Sequence, residues 1–133
     1  MLMELLDQAG KSFGLSNEQI VIGGFSQGAM LATDVALRLP QSPAALCVLS
    51  GALVNEREWS QRAAHRGALK VLQSHGRYDS ILPFAMGTAL CDLLREAGAE
   101  VDFIAFNGDH EIPPLVLQRL AKLLAHLVGN SRD

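Results

Sequence analysis

The strongest constraint on this chain is an alternation of short apolar runs with stretches of helical periodicity. Ile20-Val21-Ile22-Gly23-Gly24-Phe25 is β-branched and ends in glycines. Ala45-Leu46-Cys47-Val48-Leu49 is closed by Ser50-Gly51, and two more runs cover Lys70–His75 and Val101–Phe106. The first two, apolar on consecutive residues, read as buried strands of a parallel sheet, and the other two as its third and fourth strands. Between them lie the helical patterns. Residues 1–13 carry Leu2, Leu5, Leu6, Ala9 and Phe13 at helical spacing. Residues 27–39 continue the pattern until Pro40 stops it. Residues 52–68 are the least regular, with a short helix expected near Arg57–Ala64. Pro83 opens a helix through Ala97, and Gly98 supplies its stop. A last helix is predicted from Pro114 to Val128, with Leu117, Leu120, Leu124 and Leu127 on one face and Gly129 as its end.

Strand and helix in strict alternation imply βαβ units with right-handed crossovers. The predicted fold class is α/β, a four-stranded parallel sheet flanked by helices in one domain over residues 1–133. In such sheets reactive groups gather at the carboxyl ends of the strands.

The chain has 133 residues, 49% hydrophobic, with a net charge of −3. That is a globular composition long enough for one sizeable core. No basic block points to nucleic acid. No apolar stretch approaches the ~20 residues of a membrane span. The N-terminus has no basic region and an early acid, Glu4, so a signal peptide is not expected. Cys47 and Cys91 sit in apolar patterns without metal-ligand spacing, which predicts buried free thiols in a reducing cytoplasm.

Three residues of chemical interest fall at the predicted strand ends. Ser26 sits in Gly24-Phe25-Ser26-Gln27-Gly28. A strand-to-helix turn of this pattern is sharp and exposes the serine hydroxyl, and glycines at 24 and 28 are expected to remove side chains that would clash across it. The helix that follows favours developing negative charge, and the Gln27 backbone N–H is the expected oxyanion donor. Asp79, just past the third strand, can orient a histidine, or simply cap the helix near Pro83. His110, after the fourth strand in Gly108-Asp109-His110-Glu111, can take and return a proton. Asp109 and Glu111 flank it, but neighbours along an extended chain point apart, so Asp79 is the expected partner. The order serine, aspartate, histidine is that of α/β-hydrolases. His75 is expected to pack or bond locally, and His65 and His126 fit a site less well.

With these segments the sequence resembles the carboxylesterase/phospholipase family of α/β-hydrolases that includes the acyl-protein thioesterases. The match rests on Gly23–Ala29, Leu49-Ser50-Gly51, His75–Pro83 and Gly108-Asp109-His110. The resemblance implies a cytosolic, cofactor-free hydrolase of carboxylic esters or thioesters, with Ser26 as nucleophile, His110 as base, Asp79 as acid and Gln27 as backbone oxyanion donor. A substrate pocket would draw on residues 52–68, including Leu53 and Trp59, the alternative for those two being ordinary packing.

One departure is large. Members of that family are longer at the N-terminus and carry a His-Gly-x-Gly-like loop that supplies a second oxyanion donor. No such loop precedes Ile20. The chain therefore reads as the C-terminal portion of the family domain. An unpaired apolar edge at Ile20–Phe25 would invite association, so a homo-oligomer through that edge is one expectation. Two other readings stay open. One is a truncated or inactive hydrolase fold acting as a binding or oligomerising module. The other is a hydrolase of the same fold with a peptide or lactone substrate.

Overall fold

A computed structural model describes residues 20–131. The predicted first helix, over 1–13, lies outside them. In chain order the elements are β1 (Val21–Phe25), α1 (Gln27–Arg38), β2 (Ala45–Leu49), α2 (Glu56–Ala64), β3 (Lys70–Gly76), α3 (Phe84–Glu96), β4 (Glu100–Phe106) and α4 (Pro114–Ser131). The strands form one parallel sheet in the order β1-β2-β3-β4. Val21 pairs with Ala45, Leu46 with Val71 and Lys70 with Glu100, which sets the register across the sheet.

Every residue of β2 is buried, as its unbroken apolar run requires. On one face Ile22, Leu46, Val48 and Val71 pack against Ala32, Val35 and Ala36 of α1, Trp59 of α2, and Leu90 and Leu94 of α3. On the other, Cys47, Leu49, Leu72 and Ile104 pack against Val116 of α4. Helices thus cover both faces of a parallel sheet. Gly98, at φ 100°, adopts the left-handed backbone that ends α3.

Two expectations for the last helix need correction. α4 does not end at Gly129 but runs to Ser131. A glycine stops a helix by taking positive φ, which Gly129 does not. Inside a helix it costs only ~1 kcal/mol. The packed stripe is also not the one expected. Val116 is buried and Leu120 and Leu123 pack on the sheet, while Leu117 and Leu124 are exposed. The helix carries two adjacent apolar stripes, and the sheet covers only one.

Candidate active site

Ser26 occupies the tight turn between β1 and α1 with φ 58° and ψ −120°. That left-handed φ is costly for a residue with a Cβ, and such strain persists only where the surroundings enforce it. Here the Ser26 amide donates to the Leu49 carbonyl at 2.9 Å, and the Ser26 carbonyl accepts from Ala29 and Met30. Gly24 makes the turn possible, because a Cβ there would run into the backbone of Gly28. The matching expectation for Gly28 is wrong. A Cβ at Gly28 meets nothing, since it is the Gly28 backbone that is approached and not its missing side chain.

His110 lies on the loop after β4, and the loop crosses the carboxyl ends of the strands to reach Ser26. Its Nε2 is 2.8 Å from Ser26 Oγ, and its Nδ1 is 2.8 Å from Asp79 Oδ2. A carboxylate only accepts, so Nδ1 carries the proton and Nε2 is left to accept the Ser26 hydroxyl hydrogen. The Phe25 ring lies against the imidazole, centroids 4.8 Å apart.

The Asp79 carboxylate is fully buried. Its Oδ1 accepts the amides of Ile81 at 2.9 Å and Leu82 at 2.8 Å, which leaves Oδ2 for His110. Burial pushes the Asp79 carboxyl up, but the His110 hydrogen bond and the Leu82 and Ile81 amides outweigh it and hold it below the usual carboxylate range. Asp79 thus remains ionised where it faces the imidazole.

The loops bearing Asp79 and His110 are stitched together. Asp109 Oδ1 accepts the Ser80 amide at 2.7 Å and the Ser80 hydroxyl at 2.9 Å, and also the His110 amide at 2.7 Å. These bonds lower the Asp109 carboxyl, the Ser80 amide first among them. Tyr78 N–H donates to the Gly108 carbonyl. Sequence reasoning set Asp109 aside as a partner for the His110 ring. It is not one, but it fixes the loop, and nothing in the sequence pairs it with Ser80.

Gln27 is the first residue of α1, whose leading amides have no partner within the helix. Trp59 is 1% exposed and donates its indole N–H to Asp34 at 3.0 Å. It borders a groove of about 590 Å³ whose walls include Gln27, Gly28, Met30, Leu31 and Val54. Leu53 packs against the core cluster, and Leu31 and Val54 are the exposed apolar groups. Among the described residues no group of three or more His, Cys, Asp or Glu is placed to hold a metal ion. Both cysteines are buried, and burial pushes the Cys47 thiol up to about 11. No helix among the described residues is long and apolar enough to cross a membrane.

A family model described as Phospholipase/Carboxylesterase matches residues 1–128. The chain is 30% identical over 135 aligned residues to mouse lysophospholipase-like protein 1, covering 98% of this chain and 56% of that protein. It is 29% identical over 98 residues to acyl-protein thioesterase 1 of Neurospora crassa, covering 71% of this chain and 40% of that one. The crystal structure of SOBER1 from Arabidopsis thaliana superposes with a TM-score of 0.84 at 28% identity, over 96% of this chain and 61% of that chain. The matches thus span 40–61% of the length of these relatives.

Proposed function

The chain belongs to the phospholipase/carboxylesterase family, and from that premise we propose that it is a partial α/β-hydrolase domain bearing the serine nucleophile of a cytoplasmic, cofactor-free esterase or thioesterase. One observation carries the reading. Ser26, His110 and Asp79 are joined in line by two 2.8 Å contacts, although 84 and 31 residues of chain separate the bonded pairs.

In this reading the Ser26 hydroxyl gives its proton to His110 Nε2 as Oγ attacks the acyl carbonyl. Asp79 stabilises the imidazolium that forms and keeps its tautomer. The Gln27 N–H donates to the oxyanion at the start of α1, where the helix favours negative charge. Collapse breaks the ester or thioester bond, and His110 returns the proton to the leaving alcohol or thiol. Water then attacks the acyl-enzyme with His110 again as base, releasing a carboxylic acid and free Ser26. The groove along Met30, Leu31 and Val54 takes the acyl chain, bounded by Trp59.

The test is a fluorophosphonate probe. Wild-type protein should be labelled at Ser26, and Ser26→Ala should abolish labelling. Folded but unlabelled wild-type protein would refute the reading. A second reading, a binding or oligomerising module, is favoured by β1, which has a strand neighbour on one side only among the described residues. It requires p-nitrophenyl acetate turnover no higher than that of Ser26→Ala, together with a stable oligomer by light scattering.

A further inference from the structure

The mechanism above leaves His75 unused, yet it is the largest buried polar side chain next to the site. It stands near the end of β3 with none of its side chain exposed. Its Nε2 is 2.7 Å from the Leu82 carbonyl oxygen and 3.4 Å from Asp79 Oδ2. Both oxygens only accept, so Nε2 carries the proton and points it between them. Nδ1 is buried with no hydrogen-bond partner among the described residues. An imidazole taken out of water with one nitrogen unpaired is poor filler, since an apolar ring of the same size would pack there without that penalty.

The ring is also held in place. Phe84 meets it edge-on at 5.9 Å, and at Gly87 even a Cβ would come within 2.6 Å of Nδ1. α3 therefore leaves the imidazole little room to move away from the turn over residues 79–82. Leu82 is gripped at both ends there. Its carbonyl accepts from His75, and its amide donates to Asp79 Oδ1 at 2.8 Å.

We propose that His75 is a positioning residue. Its Nε2–H, wedged by Gly87, pins the Leu82 peptide and so fixes the Asp79 carboxylate with Oδ2 aimed at His110. The proposal rests on the reading of Ser26, His110 and Asp79 as a catalytic triad. His75 takes no part in proton transfer and does not border the acyl groove, so its loss acts on the chemical step and leaves substrate binding alone.

Three substitutions separate the donor from the shape. His75→Phe keeps the ring and removes the donor. His75→Gln places an amide N–H near the position of Nε2, and His75→Asn stops one bond short. With a p-nitrophenyl ester, His75→Phe and His75→Asn should lower kcat by ~10–100-fold with KM changed less than ~2-fold, as for a small displacement of a reacting group. His75→Gln should stay within ~3-fold of wild type. The low-field proton resonance of the His110–Asp79 hydrogen bond should be present in wild type and His75→Gln and lost in the other two. Gly87→Ala, pushing the ring from the opposite side, should lose activity in the same way. Folded His75→Phe with wild-type kcat and an intact low-field resonance would overturn the proposal. So would His75→Gln as impaired as His75→Phe, which would make shape the cause. If His75→Phe does not fold, His75→Asn decides in its place. A wild-type chain that neither turns over nor labels would sink the triad reading, and the resonance would still decide the role of His75.

Discussion

Replacing Asp79 with asparagine changes one heavy atom and should nearly silence the site. The structure dictates which way the new amide faces. Ile81 and Leu82 both donate to Oδ1, so the asparagine oxygen must stay there. The opposite rotamer would aim an NH₂ at two N–H donors in a buried position, losing two hydrogen bonds and leaving donors unpaired, at ~1–3 kcal/mol each. The asparagine NH₂ therefore takes the place of Oδ2 and faces His110 Nδ1, now 2.8 Å from a carboxylate. Two donors cannot share that bond, so the imidazole moves its proton to Nε2. That proton then points at Ser26 Oγ, and the histidine can no longer accept from it. A wrong tautomer in a Ser-His-Asp site costs ~10⁴-fold in kcat, close to 5.4 kcal/mol of transition-state stabilisation. The assays are kcat on a p-nitrophenyl ester and the rate of fluorophosphonate labelling, with circular dichroism and melting to show that the variant is folded. A folded Asp79→Asn enzyme within ~10-fold of wild type would mean that Asp79 does not set the tautomer of His110.

Three further outcomes are expected. Gly24→Ala drives a methyl group into the Gly28 backbone, so it should destabilise by ~1–3 kcal/mol and slow Ser26 labelling, checked by urea unfolding and probe kinetics. The Asp79 carboxyl is held below its ordinary value in the folded chain, so its stabilising contribution is complete above the unfolded value of ~3.9 and is lost as pH falls through the folded one. Melting temperature should therefore fall on acidification below about pH 4, less steeply in Asp79→Asn, and equal slopes would contradict the sign. Val54→Trp, filling the groove beside Leu31, should reduce kcat/KM for an octanoate ester by ~10-fold while sparing an acetate ester; equal losses on both would move the acyl chain elsewhere.

The sheet could be read from the sequence because β2 is buried on both faces, and burial of that kind leaves an unbroken apolar run. The elbow was legible because a strand, a glycine-flanked serine and a helix follow one another directly. Ser26, Asp79 and His110 could be singled out by chain order and strand ends, but their contact could not, since the loop after β4 must cross the sheet to make it. The face of α4 was misread for a different reason. Leu117-Leu120-Leu124-Leu127 and Val116-Leu120-Leu123-Leu127 are both regular helical stripes, and only packing against Cys47, Leu72 and Ile104 chooses between them. The bond from Ser80 to Asp109 and the grip of His75 on Leu82 join residues through side chain and backbone without any periodicity, so no pattern announces them.

The sheet order gives the site a built-in timing. Ser26 leaves the strand at one side of the four, and His110 arrives from the strand at the other. Because the strands are laid down in sequence order, a growing chain carries its serine long before it carries the base. On the proposed mechanism, the hydroxyl at the elbow has its base only where the loop after β4 is in place beside it. Labelling of Ser26 would then serve as a gauge of whether the far side of the sheet is in place.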